Sequence, residues 1–307
     1  MSRPAASDTL RAIGLMVLSM ATFATADSLI KLTSNTLPGS QILTFLGIGG
    51  TLVFATITAS RGIPLLSKRI IHPAVLARAV AEIVATCGFL MALTLLDFSV
   101  ASSILQVAPL IVTLGAAVLL HEAVSWRRWS AVIAGLIGVL VILNPLGTDT
   151  NLLQANPTGA ILALIGVTGL AGRDLATRFI PKDVPNLQAA TWGFAVVIFA
   201  GGILALFGEP WVSPQPMAWA TLAGLVTFAC IGYFAVTAAM RIGDVSAVAP
   251  FRYSRIIFAF ILSVALFGET LTPRIYIGAA IIVAAGLYVW LREQNRATPL
   301  QSTQQSR

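Results

Sequence analysis

The chain has 307 residues, 57% hydrophobic and only 10% charged, with a mean hydropathy of +0.89 and a formal net charge of +7. A soluble domain carries about a quarter charged residues, so a water-soluble fold is excluded. The 19 Lys and Arg are scattered through short breaks without a basic stripe or aromatic interleaving, which excludes a nucleic-acid partner.

Apolar runs recur near 10–32, 40–60, 74–96, 99–120 and 128–146, then near 157–177, 187–208, 216–240, 246–267 and 274–292. Each is long enough to cross a ~30 Å hydrocarbon core as a helix, and too long for barrel strands, which need only about ten alternating residues. The predicted fold class is therefore all-α integral membrane, with ten transmembrane helices. Turn residues mark the breaks, among them Pro38-Gly39, Asn144-Pro145, Pro214 and Pro216. Arg3 and Arg11 ahead of an apolar run ending in Ala24-Thr25-Ala26 resemble a cleavable signal. The internal repeat needs that run as a helix, and the expectation is that it is kept.

Basic residues alternate between breaks. Arg61, Lys68 and Arg69 follow the second run, Arg127 and Arg128 the fourth, Arg178 and Lys182 the sixth, Arg241 the eighth, and Arg292 and Arg296 the tenth. The intervening breaks hold almost none, Arg274 excepted. By the positive-inside rule both termini of this multi-pass protein are predicted to be cytoplasmic. Residues 293–307, rich in Gln, Ser and Thr, are predicted to form a disordered tail. Cys87 and Cys230 lie inside apolar runs and read as small packing residues rather than a disulfide or metal site.

A shift of 147 residues superimposes the two halves without a gap. Asp27 meets Asp174, Lys31 meets Arg178, Gln41 meets Gln188 and Thr44 meets Thr191; further on, Asp97 meets Asp244 and Glu122 meets Glu269. Residues 10–146 and 157–292 thus read as two repeats of five spans. Because five is odd, the second enters the membrane upside down relative to the first. Inverted repeats are typical of secondary transporters, where two similar halves exchange conformations about one central site.

The segments "HEAVSWRRWSAVIAGLIGVLVILNP" (121–145), "PFRYSRIIFAFILSVALFGE" (250–269) and "GETLTPRIYIGAAIIVAAGLYVWLRE" (268–293) resemble the paired hallmark segments of the EamA-type drug/metabolite transporter superfamily, in a form similar to bacterial members. The resemblance covers residues 10 to 293. It implies ten helices in two EamA repeats and transport of small organic solutes; such carriers are variously linked to amino acids, S-adenosylmethionine, riboflavin and nucleotide-sugars. Two departures stand out. "QILTFLGIGG" (41–50) lacks the Arg that many relatives carry after the Gln opening span 2, and His121 stands where the hallmark usually has Gly.

Depth selects the candidate site. Arg255 lies nine residues into span 9, about 14 Å at 1.5 Å per residue, with Arg252 one turn before it. Glu82 lies eight residues into span 3, about 12 Å deep, with Arg78 one turn below. Ionisable groups at that depth face a cavity or a partner. Arg255, Arg252, Glu82 and Arg78 are expected to form a central site for an anionic or zwitterionic solute, since three cations against one acid leave positive charge to neutralise. A buried Glu82–Arg252 pair locking helices 3 and 9 is the competing reading. Gln106, Tyr253, Tyr233 and Trp192 are uncharged candidates for the lining. Asp27 with Lys31, and Asp174 with Arg178, are expected to be i,i+4 ion pairs at opposite mouths of the pathway. Glu122 and Glu269 are expected to hold helix ends, and Asp97 and Asp244 to cap the following helices. Gly135, Gly138, Gly278 and Gly286 are expected to allow close helix packing.

Transport of a small organic metabolite by alternating access is the reading these features favour, in a monomer or homodimer surrounded by lipid. A membrane-embedded lipid-modifying enzyme lacks a metal-ligand set or a nucleophile–base pair, and a channel would need polar pore-lining rings. No ATP-binding loop occurs. No cofactor or metal is called for, and Glu82 is the candidate site for a coupling proton.

Overall fold

A computed structural model describes residues 6–119, 126–144, 156–181, 184–242 and 248–297. The elements in chain order are α1 (Ala6–Thr33), α2 (Gly39–Ser60), a 3-10 turn (Lys68–Ile71), α3 (Pro73–Leu95), α4 (Phe98–Leu105), α5 (Ala108–Leu119), α6 (Trp126–Leu143), α7 (Pro157–Thr177), α8 (Asn186–Ala205), α9 (Pro216–Ile242), a second 3-10 stretch (Ala249–Ser254), α10 (Arg255–Phe267) and α11 (Pro273–Ala297). Among the described residues there are no strands. Eight segments are long and apolar enough to cross a membrane, and Trp129–Leu143 and Pro273–Tyr288 are shorter apolar helices.

Two crossings are built from two pieces. Span 4 runs from Phe98 to Ala116 as α4 and α5, interrupted at Gln106-Val107 just ahead of Pro109. Span 9 runs from Ala249 to Phe267, with the 3-10 stretch containing Pro250 feeding into α10. Proline cannot donate to the preceding turn, so both breaks have a local cause. The tenth helix continues to Ala297, five residues into the stretch expected as a disordered tail; residues 298–307 lie outside the described residues.

The packing obeys the sequence echo. α3 lies along α7, α1 along α9, α2 along α8, and α6 along α11, while α4 meets α10. Exchanging the halves turns the first of these pairs into the second and returns each of the others to itself. The arrangement is that of two inverted five-helix repeats related by a two-fold axis.

Small residues set the closest crossings. A Cβ added at Gly88 would come 2.7 Å from the backbone nitrogen of Gly166, and one at Gly166 would come 2.6 Å from that of Phe89. Gly138 and Gly278 make the equivalent contact between α6 and α11, each with its carbonyl against the other's α-carbon. In lipid, where apolar surface gains nothing by leaving the solvent, this backbone-to-backbone approach is what holds helices together. Of the other two glycines expected to pack, Gly135 faces Leu110 and Gly286 faces the ring of Tyr253.

Echoed polar residues clamp loops in mirror fashion. Gln41 donates from Nε2 to the Val212 carbonyl (2.9 Å) and accepts from the Val212 N–H (3.2 Å). Gln188 donates to the Pro64 carbonyl (2.8 Å) and to Ser67 Oγ (3.3 Å). Each glutamine starts the second span of one repeat and fastens the loop of the other.

Candidate functional site

The broken ninth span presents Arg252 from its 3-10 part and Arg255 from the first residue of α10. Each meets one of the two aspartates that the 147-residue shift equates. Arg255 Nη2 donates to Asp27 Oδ2 on α1, with its guanidinium 5.5 Å from the centre of the Phe23 ring. Arg252 Nη2 lies 3.5 Å from Asp174 Oδ2 on α7. Span 9 is therefore held between the halves by two arginines pointing to symmetry-related acids.

A chain of alternating charges continues from Asp174. Its Oδ1 accepts from Arg173 Nη2 (2.8 Å) and Nε (3.1 Å). Arg173 Nη1 reaches Glu82 Oε1 at 3.3 Å, and Glu82 Oε2 is 3.6 Å from Arg78 Nη2. Arg78 Nε donates to Thr177 Oγ1 at 3.2 Å. Spans 9, 6 and 3 are thus joined by Arg252, Asp174, Arg173, Glu82 and Arg78 in order. Together with Asp27 and Arg255 the site holds four guanidiniums against three carboxylates, a surplus of one positive charge rather than the larger surplus expected. Arg252 is the member most open to solvent, its side chain 42% exposed against 13% for Glu82.

Several expected partnerships are replaced. Asp27 does not pair with Lys31, nor Asp174 with Arg178: Asp27 pairs with Arg255, and Asp174 with Arg173 and Arg252. The physical reason lies partly in α1, which begins at Ala6 and has 28 residues, about 42 Å of helix. Its start protrudes from a ~30 Å core, so Asp27 sits inside the bundle rather than at a rim. Glu82 pairs with Arg78 and Arg173, not with Arg252 or Arg255.

Arg173 is the site residue that sequence reasoning passed over. It has no counterpart at the echoed position, which is Ala26. The signal was its placement beside Asp174 within an apolar helix, where an adjacent Arg and Asp need partners on neighbouring spans.

The uncharged candidates divide. Gln106, at the break in span 4, donates to the backbone carbonyls of Tyr253 (3.4 Å) and Arg252 (3.5 Å), tying the two broken helices at their breaks. Tyr253 is buried and turns toward Gly286 on α11, its hydroxyl without a hydrogen-bond partner among the described residues. Trp192 donates from its indole to the Leu65 carbonyl at 2.8 Å, and shares a small pocket with Arg78, Gln188 and Ile180. Tyr233 packs edge-on against Phe54, ring centres 5.2 Å apart, while its hydroxyl end lies within electrostatic reach of Arg78, Arg173 and Glu82.

Toward the other end of α1 the halves meet in a closed junction. Gly268, with φ of 62°, ends α10 in the left-handed conformation that glycine adopts without strain. The chain then swings Glu269 under α4, where its carboxylate accepts from the N–H groups of Phe98 and Ser99. Lys31 Nζ donates to the Leu96 carbonyl (2.6 Å) and lies 3.5 Å from Glu269. Glu269 thus holds a helix end, and it takes the capping task expected of Asp97, whose side chain makes no cap bond. Burial, chiefly, and the charge of Glu269 push the Asp97 carboxyl above its ordinary range, with Lys31 opposing. Glu122, His121 and Asp244 lie outside the described residues; Arg178 is exposed on α7's C-terminal side.

Among the described residues no group of three His, Cys, Asp or Glu side chains is placed to hold a metal. Cys87 and Cys230 are free thiols on different helices.

Ten helices in two inverted repeats, with two broken spans meeting beside a charged cluster, define a polytopic membrane protein of the transporter class. Residues 10–144 and 157–291 each match the EamA-like transporter family, and the chain belongs to that family. Relatives include the riboflavin transporter of Vibrio cholerae, 26% identical over 63% of each chain. Another is the S-adenosylmethionine uptake transporter of Rickettsia prowazekii, 24% identical over 69% of each. The pseudopaline exporter CntI of Pseudomonas aeruginosa is 23% identical over 80% of this chain and 83% of its own. The matched stretch therefore spans less than two thirds of the riboflavin transporter's length. A crystal structure of a protein with 19% identity superposes over 96% of this chain and 99% of its own with a TM-score of 0.61, which shows a shared fold. The family and these relatives are transporters rather than enzymes.

Proposed function

We propose that the protein is a secondary transporter that moves a small organic anion or zwitterion across the bacterial inner membrane by alternating access, with both termini cytoplasmic. The observation that carries this reading is the charge chain from Arg252 to Arg78. It joins three helices, keeps one surplus positive charge, and leaves its most exposed guanidinium with a single long contact to Asp174. A solute carboxylate or phosphate that engages Arg252 completes charge-assisted bonds that Asp174 supplies only weakly. An amine on the same solute has Glu82 and Asp174 within the same cluster. The two anchors Asp27–Arg255 and Asp174–Arg252 join span 9 to opposite halves, so a shift in one is felt by the other.

The solutes in the names of the relatives, riboflavin, S-adenosylmethionine and pseudopaline, support transport of a small organic metabolite. Coupling to protons is part of this reading, and Glu82, between Arg78 and Arg173, is the carboxylate whose variant tests it. The test is uptake into reconstituted vesicles, with and without an imposed pH gradient, by the unaltered protein and by Arg252→Gln and Glu82→Gln. Loss of uptake in Arg252→Gln with normal membrane yield supports the anion centre; undiminished uptake refutes it. Uptake by the unaltered protein that ignores the gradient removes the proton role and leaves the carrier.

A further inference from the structure

The charged centre has an aromatic flank. Phe54 stacks on Phe194 with ring centres 5.3 Å apart, and Tyr233 stands edge-on to both, 5.2 Å from Phe54 and 6.2 Å from Phe194. Phe54 is fully buried, whereas Tyr233 is partly exposed. The hydroxyl end of Tyr233 is within electrostatic reach of Arg78, Arg173 and Glu82, and Phe194, which meets its ring, directly follows Gly193, over which the Arg78 guanidinium lies. That hydroxyl donates to no described residue. Arg78 continues the flat wall: its guanidinium lies over Gly193, where an added Cβ would be 3.4 Å from both Nη1 and Nη2. A β-carbon at position 193 would stand in van der Waals contact with the guanidinium.

A rigid tyrosine ring and a flat guanidinium next to a cluster with surplus positive charge recognise one kind of molecule. We propose that the solute carries a planar conjugated ring together with an acidic group. The ring packs on Tyr233 and the Arg78 guanidinium, and the acid engages Arg252. Aromatic faces and guanidinium planes attract π-systems beyond what their buried area supplies. Tyr233 on this view is a specificity-determining residue: it selects among anions and does not itself provide the charge. The inference rests on the anion-carrier reading above.

The test compares phenylphosphonate with cyclohexylphosphonate, which share charge and approximate size and differ in whether the ring is flat and conjugated. Binding to the full-length protein in detergent is measured by tryptophan fluorescence and by thermal shift. The unaltered protein is expected to prefer the phenyl probe by about fivefold, the factor that an aromatic contact of ordinary strength gives. Tyr233→Phe should keep that preference and Tyr233→Leu should abolish it while still binding both anions. Arg252→Gln should weaken both probes alike. Equal affinity for the two probes in the unaltered protein, or an unchanged preference in Tyr233→Leu, overturns the inference and leaves the anion centre standing. Binding of neither probe, or indifference of both to Arg252→Gln, overturns the anion centre itself.

Discussion

The Lys31–Glu269 junction and the Arg252–Asp174 cluster are built from the same kinds of charge, at opposite ends of one bundle. In the junction Glu269 is 9% exposed, and its carboxylate is taken up by two backbone N–H groups and a lysine. In the cluster Arg252 is 42% exposed and meets its acid at 3.5 Å. Satisfied, buried charge holds helices together; incompletely satisfied charge in an open space leaves donors for a guest. Full satisfaction marks where the molecule is fastened, and partial satisfaction where it is available. The Asp27–Arg255 pair lies between the two in position but belongs with the fastened end, being 11% and 18% exposed.

The largest effect should come from breaking that buried pair. Asp27→Ala strands Arg255, whose Nε is already without a partner. Removing one member of a buried ion pair costs about 3–5 kcal/mol, so the variant is expected to lose most of its folded yield in size-exclusion profiles of detergent extracts. A folded yield equal to the unaltered protein would move Asp27 to the available end of the comparison.

Glu269→Gln should come next. The amide keeps one acceptor oxygen for the Phe98 and Ser99 N–H groups but leaves Lys31 with the Leu96 carbonyl alone. Loss of a helix cap of this kind costs about 1–2 kcal/mol. The junction should also open: a cysteine replacing buried Ala26, in a Cys87→Ala, Cys230→Ala background, should react with an impermeant thiol reagent only when Glu269 is changed. Equal labelling in both backgrounds would mean that this junction does not close the pathway.

Asp174→Asn separates the regions most sharply. Arg173 keeps Glu82 as a partner and Arg252 is already half in solvent, so stability should fall by no more than about 1 kcal/mol. Transport, by contrast, should drop by about tenfold or more as the cluster loses the acid that positions Arg252 and Arg173, a factor worth about 1.4 kcal/mol. A variant that melts early yet transports normally would reverse the assignment.

How much of this was legible in the residues follows from what sets each feature. The ten spans come out within a few residues of the helices because length and apolarity are properties of the segment itself, as for 157–177 against Pro157–Thr177. The inverted pairing followed from the 147-residue shift. Most residues of the charge chain can be named from the sequence, Arg252, Asp174, Glu82 and Arg78 among them, but not which of them pair. Lys31 can reach Asp27 along its own helix, yet chooses Leu96 and Glu269 across an interface, and such choices depend on helix rotation and crossing, which no local pattern encodes. Arg173 was missed because symmetry was the guide and Arg173 breaks it. Capping shows the same limit: Asp97 occupies the N-cap position, but the carboxylate that reaches the free N–H groups comes from 171 residues away.

The smallest predicted effect sits at that substitution of one acid for another. Asp97 is exposed as a residue but its carboxyl is partly covered; it caps nothing, and that cover first, then the neighbouring Glu269 charge, pushes the carboxyl up, with Lys31 opposing. A carboxyl whose folded value is raised holds its proton more tightly in the folded chain. Its contribution to stability is present below the ordinary range near pH 4 and is lost as the pH rises through the folded value. At neutral pH the ionised Asp97 therefore works against the junction, and Asp97→Asn should raise stability by a few tenths of a kcal/mol given its exposure, and the melting temperature slightly with it. Below about pH 4 the two proteins should melt alike. A lower melting temperature for the variant at pH 7 would instead mean that Asp97 pairs usefully with Lys31, and that the junction is held by two acids rather than by Glu269 alone.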